Sequence, residues 1–152
     1  MYCKRKNSTN WQFPQGGIDK NEDIFDAALR ELYEEVGIKE NKVKLIKESD
    51  NLYKYDLTKK YKRNSFLWES FKGQKQKWFL FKLIEETKID LNNENNPEFD
   101  EFNWVDYWKP LDEIVEFKRE IYEKVLTELE PAYKLEFLSL IHISEPTRPT
   151  PL

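Results

Sequence analysis

Cysteine and histidine are almost absent: the 152-residue chain has one of each, Cys3 and His142. A lone cysteine cannot close an internal disulfide and excludes a cysteine-based zinc site. A lone histidine excludes chemistry that needs two imidazoles. Glycine is scarce, four residues in all, so two adjacent glycines after a proline mark a place where backbone must approach something closely. Long apolar runs are missing as well; stretches such as Trp78-Phe79-Leu80-Phe81 fall far short of the roughly 20 residues that span a bilayer. No basic start leads into an apolar stretch, so no secretory signal is read. Nor is there an excess of positive charge: 25 basic residues face 29 acidic ones, giving a net charge of -4. That disfavours a nucleic acid gripped by bulk charge and leaves only a local basic patch open. Aromatic residues, by contrast, make up 15% of the chain, which is unlike a disordered composition. The expectation is one soluble domain of the reducing cytoplasm whose chemistry rests on carboxylates.

The opening Met1 to Arg5 reads as the end of a strand, followed by a polar loop and then Trp11-Gln12-Phe13-Pro14-Gln15-Gly16-Gly17. The spacing of Phe25, Ala28, Leu29, Leu32 and Val36 predicts a helix over 23–36 that Gly37 stops. Strands are expected over 43–47, 52–57, 78–84 and 99–107. A lysine-rich loop lies at 59–63, an asparagine-rich loop at 90–97 and an amphipathic segment at 111–129. This order suggests an α/β sandwich of two or three layers. Residues 138–152, beginning Leu138-Ser139-Leu140-Ile141-His142, resemble a translated sequencing-library adapter and are set apart from a domain over 1–137. His142 then carries no biology.

Within the expected helix, Glu31, Glu34 and Glu35 stand at i, i+3 and i+4 and share one side, away from the apolar stripe. Like charges held together repel, and a divalent cation relieves the repulsion. Hard oxygen ligands favour magnesium or manganese over zinc. An isolated Glu-x-x-Glu-Glu is ordinarily just a solvated helix face. Here Gly16, Glu22, Arg30, Glu31, Glu34, Glu35 and Gly37 together spell G-x5-E-x7-R-E-L-x-E-E-x-G, ending at Ile38.

This pattern resembles the Nudix box, the signature of Nudix hydrolases. The resemblance implies an α/β/α sandwich with a mixed sheet and a loop-helix site that hydrolyses phosphoric anhydride bonds with Mg2+ or Mn2+. By it, Glu31, Glu34 and Glu35 coordinate metal and Arg30 orients a box carboxylate. Trp11 to Ile18, Gly73 to Phe79, Pro97-Glu98-Phe99-Asp100 and Phe117-Lys118-Arg119 look like motifs of bacterial RNA pyrophosphohydrolases and of related dinucleoside polyphosphate hydrolases. That likeness implies removal of pyrophosphate from 5'-triphosphorylated RNA, as in bacterial mRNA decay in the cytoplasm, by a monomer with no membrane partner. A dinucleoside polyphosphate hydrolase is the alternative; a non-catalytic RNA-end binding domain or an inactive fragment is a further one. The sequence is silent on any protein activator.

Glu98 corresponds to a family carboxylate outside the box that assists the metal. Phe117 matches an aromatic that stacks on the terminal base, with core packing as its plain alternative. Lys118 and Arg5 match basic residues near base and phosphates, and Gln15, Gly16, Tyr55 and Lys77 fall in the same substrate territory. The family carries a further strand before the segment matched by Met1 to Lys6. The expectation is therefore a sandwich lacking its first strand, with an exposed sheet edge and one phosphate-binding arginine fewer.

Overall fold

The computed structural model describes residues 1–54 and 75–138. Strand β1 (Tyr2–Arg5) lies between β2 (Trp11–Gln12) and β7 (Phe99–Asn103) in one sheet. Strands β3 (Val43–Glu48) and β6 (Phe79–Leu83) form a second, and β4 (Tyr53–Lys54) and β5 (Lys75–Gln76) a third. Each pairing among the described residues is antiparallel, so the parallel neighbours of a mixed sheet are not among them. The strand expected over 52–57 is met at Tyr53–Lys54, and its remainder lies outside the described residues. β2 follows the expected polar loop, at residues given no element by the sequence; two residues are too few for an alternation to show.

Side chains alternate between two apolar clusters. Met1 and Cys3 join Leu32, Val36, Phe81 and Phe99, whereas Tyr2 joins Phe13, Trp78, Leu80 and Tyr122. Alternate strand residues point to opposite faces, so the strands are covered on both sides. Helix α1 (Ile24–Val36) supplies one cover. Helices α2 (Pro110–Glu113) and α3 (Glu116–Tyr133) supply the other. The expected α/β/α sandwich is therefore present.

α1 is defined at both ends by its sequence. The Asp23 carboxylate accepts from the amides of Phe25 at 3.1 Å and Asp26 at 3.3 Å, capping the helix start. At the other end Gly37 has φ 75° and donates to the Tyr33 carbonyl at 2.9 Å. A Cβ there would also lie 2.8 Å from Cβ of Asp90, so both conformation and space require glycine. The segment expected to be amphipathic over 111–129 is two helices, because Ile114 and Val115 are extended, with ψ of 146° and 143°. α3 and the π turn that follows (Lys134–Leu138) run past 129 and bury Tyr133 and Phe137. No described helix is long and apolar enough to cross a membrane.

Candidate active site

Arg30 organises the carboxylates of α1. Its Nε and Nη2 donate to the two Glu22 oxygens at 2.8 and 2.9 Å, a bidentate pair. Nη1 donates to Glu31 at 2.9 Å and to Glu34 at 3.0 Å, and Nη2 also donates to the Gly17 carbonyl at 2.8 Å. A guanidinium has five N–H donors, and here all of them are used. The Arg30 hydrogen bonds, with help from the Asp19 amide, hold the Glu22 carboxyl below the usual carboxylate range. One side chain thus ties the glycine loop to two successive turns of the helix.

The three box glutamates, expected on one side, sit in graded environments. The Glu34 side chain is 39% exposed and that of Glu31 19%, whereas Glu35 as a residue is only 2% exposed. Burial pushes the Glu31 carboxyl up, and Arg30 opposes the rise. Gly16 is its immediate neighbour: a Cβ on Gly16 would fall 1.9 Å from Cδ of Glu31. Neither oxygen of Glu35 meets a hydrogen-bond partner. Burial first, then the charges of Glu98 and Glu31, push its carboxyl up to about 9.

Glu98 is exposed at the start of β7, and its carbonyl accepts from the Lys6 amide at 2.8 Å. Its charge is felt by Glu31, Glu35 and Glu94. Glu94 was not singled out by the sequence. Its loop is pinned to the end of α1 by Asp90 N–H on the Val36 carbonyl at 2.9 Å and by Asn93 Nδ2 on the Tyr33 carbonyl at 2.8 Å. Four residues before Glu98 in a polar loop, it carried no pattern that could have marked it.

Among the described residues no three acidic side chains are already arranged to hold a metal ion; Arg30 draws Glu31 and Glu34 toward itself. The donor set nonetheless fits a hard divalent cation. Every ligand atom would be oxygen, and a buried carboxylate with both oxygens unspent is costly unless a cation or water answers it.

The remaining expected residues divide between this region and another. Gln15 is half-buried with Oε1 unpartnered, next to exposed Gly16. Arg5 is exposed at the end of β1, where the register against β7 shifts. Lys77 pairs with Glu48 at 3.3 Å. Lys118, expected near the substrate, is buried at 9% exposure and donates to Gln12 Oε1 at 2.9 Å. Its ammonium lies 5.8 Å from the Phe117 ring centre, and Phe117 packs half-buried against the larger apolar cluster. Tyr55, Gly73, Gln74 and the 59–63 loop lie outside the described residues.

The family model described as the NUDIX domain matches residues 2–125. The chain belongs to this family. The matched stretch of this NUDIX domain holds the whole glycine-glutamate pattern as well as Glu98, Phe117 and Lys118. It is 46% identical over 128 residues to an RNA pyrophosphohydrolase of Francisella tularensis subsp. mediasiatica, covering 84% of this chain and 81% of that one. It is 42% identical over 132 residues to an RNA pyrophosphohydrolase of Shewanella denitrificans, covering 86% and 76%. Among solved structures it resembles a C. elegans Ap4A hydrolase binary complex with a TM-score of 0.60 at 17% identity, covering 86% of each chain. At that identity the likeness speaks to the NUDIX fold alone.

Proposed function

We propose that this NUDIX domain hydrolyses 5'-triphosphorylated RNA ends, releasing pyrophosphate and leaving a 5'-monophosphate. The observation that carries the reading is Glu35, buried with neither oxygen hydrogen-bonded and within reach of the charges of Glu31 and Glu98, in a chain whose curated relatives are RNA pyrophosphohydrolases. Glu31, Glu34, Glu35 and Glu98 would hold Mg2+ or Mn2+. When bound, the metal neutralises charge on the phosphate oxygens and lowers the pKa of the attacking water. Arg30 is a positioning residue: it aims Glu31 and Glu34 and fixes Gly17 beside them. The bare backbone at Gly16 makes room for Glu31. Gln15 offers an unspent oxygen at the same loop. Arg5, Tyr55, Lys77 and Lys118 would meet the phosphates, and Phe117 the first base.

The relatives favour an RNA end over the dinucleoside polyphosphate alternative, since the Ap4A hydrolase likeness is one of fold. We place the enzyme in the bacterial cytoplasm as a monomer acting in mRNA decay. Parallel incubation with 5'-triphosphorylated RNA and with diadenosine tetraphosphate, each with Mg2+ and with Mn2+, tests the reading. Faster release of pyrophosphate from the RNA is the expected result, and faster cleavage of the dinucleotide reverses the assignment.

A further inference from the structure

The loop that carries Glu94 is fastened to the last turn of α1, the turn that holds Glu34 and Glu35. Ile89 and Leu91 pack on the apolar cluster that α1 covers. Between them, the Asp90 amide donates to the Val36 carbonyl at 2.9 Å, and the Asp90 carboxylate accepts from the Asn92 amide at 2.9 Å. Asn93 Nδ2 then donates to the Tyr33 carbonyl at 2.8 Å. Gly37 makes this approach possible, since a Cβ there would stand 2.8 Å from Asp90 Cβ and 3.1 Å from its amide nitrogen. Tyr33 and Val36 bracket Glu34 and Glu35 in the chain. Glu94 therefore follows directly on a contact with the turn that presents both glutamates. Four residues later the same segment reaches Glu98, where β1 holds it through the Lys6 amide on the Glu98 carbonyl at 2.8 Å.

Glu94 is half-buried, and burial, Glu98 and Glu34 all work against its ionised form. Its own charge reaches Glu35. An acidic surface loop is ordinarily free to spread its charges into solvent. This one is anchored so that its carboxylate stays near three others, and a second observation shows what they await. Glu35 is 2% exposed and neither of its oxygens has a hydrogen-bond partner. A hard divalent cation answers both the repulsion and the unspent oxygens. We propose that Glu94 is a further ligand of the divalent-cation site, brought to it by the 90–98 loop alongside Glu34, Glu35 and Glu98. This rests on the metal-dependent reaction proposed above and adds to its ligand set a residue that no motif marks.

The test reads metal binding rather than turnover. Wild type, Glu94→Gln and Glu94→Asp, each as the full chain, are stripped with EDTA, dialysed and titrated with Mn2+, with free ion followed by its EPR signal. Glu94→Gln should bind Mn2+ about tenfold or more weakly. Glu94→Asp keeps the charge and shortens the reach, so a ligand should still lose about threefold or more. A charge that acts only from a distance would leave Glu94→Asp at wild-type affinity, and that result overturns the inference. In EDTA the melting temperature of Glu94→Gln should hold or rise, because a like charge is gone, while the gain on adding Mg2+ should shrink. A residue that merely anchors the loop would lower the melting temperature in both variants and leave Mn2+ affinity unchanged, which also overturns it. If the wild type binds Mn2+ but releases no pyrophosphate from 5'-triphosphorylated RNA, the proposed reaction has failed, and the Mn2+ titrations still decide Glu94. A wild type that binds no Mn2+ removes the cation site and this ligand with it.

Discussion

On the α1 side a single cation, Arg30, is shared among Glu22, Glu31 and Glu34; on the α3 side a buried cation, Lys118, is held by the neutral amide of Gln12. The first arrangement spends its positive charge on aligning carboxylates and leaves Glu35 with negative capacity to offer. The second positions a positive charge without neutralising it through that contact. The two contacts belong to helices that cover opposite faces of the sandwich. Their origins in the chain differ as well. Every Arg30 contact lies within 13 positions, while Lys118 reaches back 106.

Breaking the α1 side should have the largest effect. Glu34→Gln removes one ligand charge at nearly constant volume, and kcat should fall on the order of 10²–10³-fold, as when a transition-state contact is lost. Its melting temperature should stay near wild type, because the Glu34 side chain is 39% exposed. Retention of full rate at saturating Mg2+ would remove Glu34 from the metal set. Arg30→Met acts one step back. Mg2+ affinity should weaken roughly 10–100-fold, the usual consequence of losing an orienting partner. A Mg2+ titration of activity measures it, and an unchanged half-saturation would make Arg30 purely structural.

The α3 side should break differently. Phe117→Ala should raise KM for RNA by the equivalent of about 1–3 kcal/mol of stacking, with the Mg2+ titration unmoved. A large drop in melting temperature with KM unchanged would show a core residue instead.

pH sharpens the contrast from the other direction. The Glu35 carboxyl is pushed up from 4.5 to about 9 in the fold, so the metal-free native state keeps a proton that the unfolded chain releases. That contribution to stability is complete below the unfolded value and is lost as pH rises through the folded one. Melting in EDTA across roughly pH 5–9 should therefore show wild type falling relative to Glu35→Gln. Parallel curves would mean that Glu35 is not desolvated. The smallest effect is expected from removing 138–152, the segment that resembles a translated adapter. Melting temperature and activity should stay at wild-type values, and a cooperative loss of stability would bring that segment into the domain.

The α1 side was legible because its chemistry is local. Helical periodicity placed the apolar stripe, fixed spacing placed Glu31, Glu34 and Glu35, and Gly37 marked the stop that its φ of 75° now explains. Spacing did not reveal that Glu35 is buried while Glu34 is not, since that depends on what packs against each turn. The break between α2 and α3 was hidden for a related reason: Ile114 and Val115 are apolar, and apolar periodicity continues through them although the backbone does not. The Gln12 to Lys118 contact and the placement of Glu94 arise from tertiary packing, and no pattern within a short window encodes either. Lys118 was read as a residue near the substrate surface, and only its fold neighbours show that it is buried.

The most direct test of the whole account is the product of one reaction. 5'-triphosphorylated RNA is incubated with the wild type and with Glu35→Gln at saturating Mg2+, and both the RNA end and the released phosphate species are resolved. The account expects the wild type to give monophosphorylated RNA and intact pyrophosphate in equal amounts, and Glu35→Gln to give essentially neither. Equal rates for the two proteins, or orthophosphate released in steps without pyrophosphate, would contradict it.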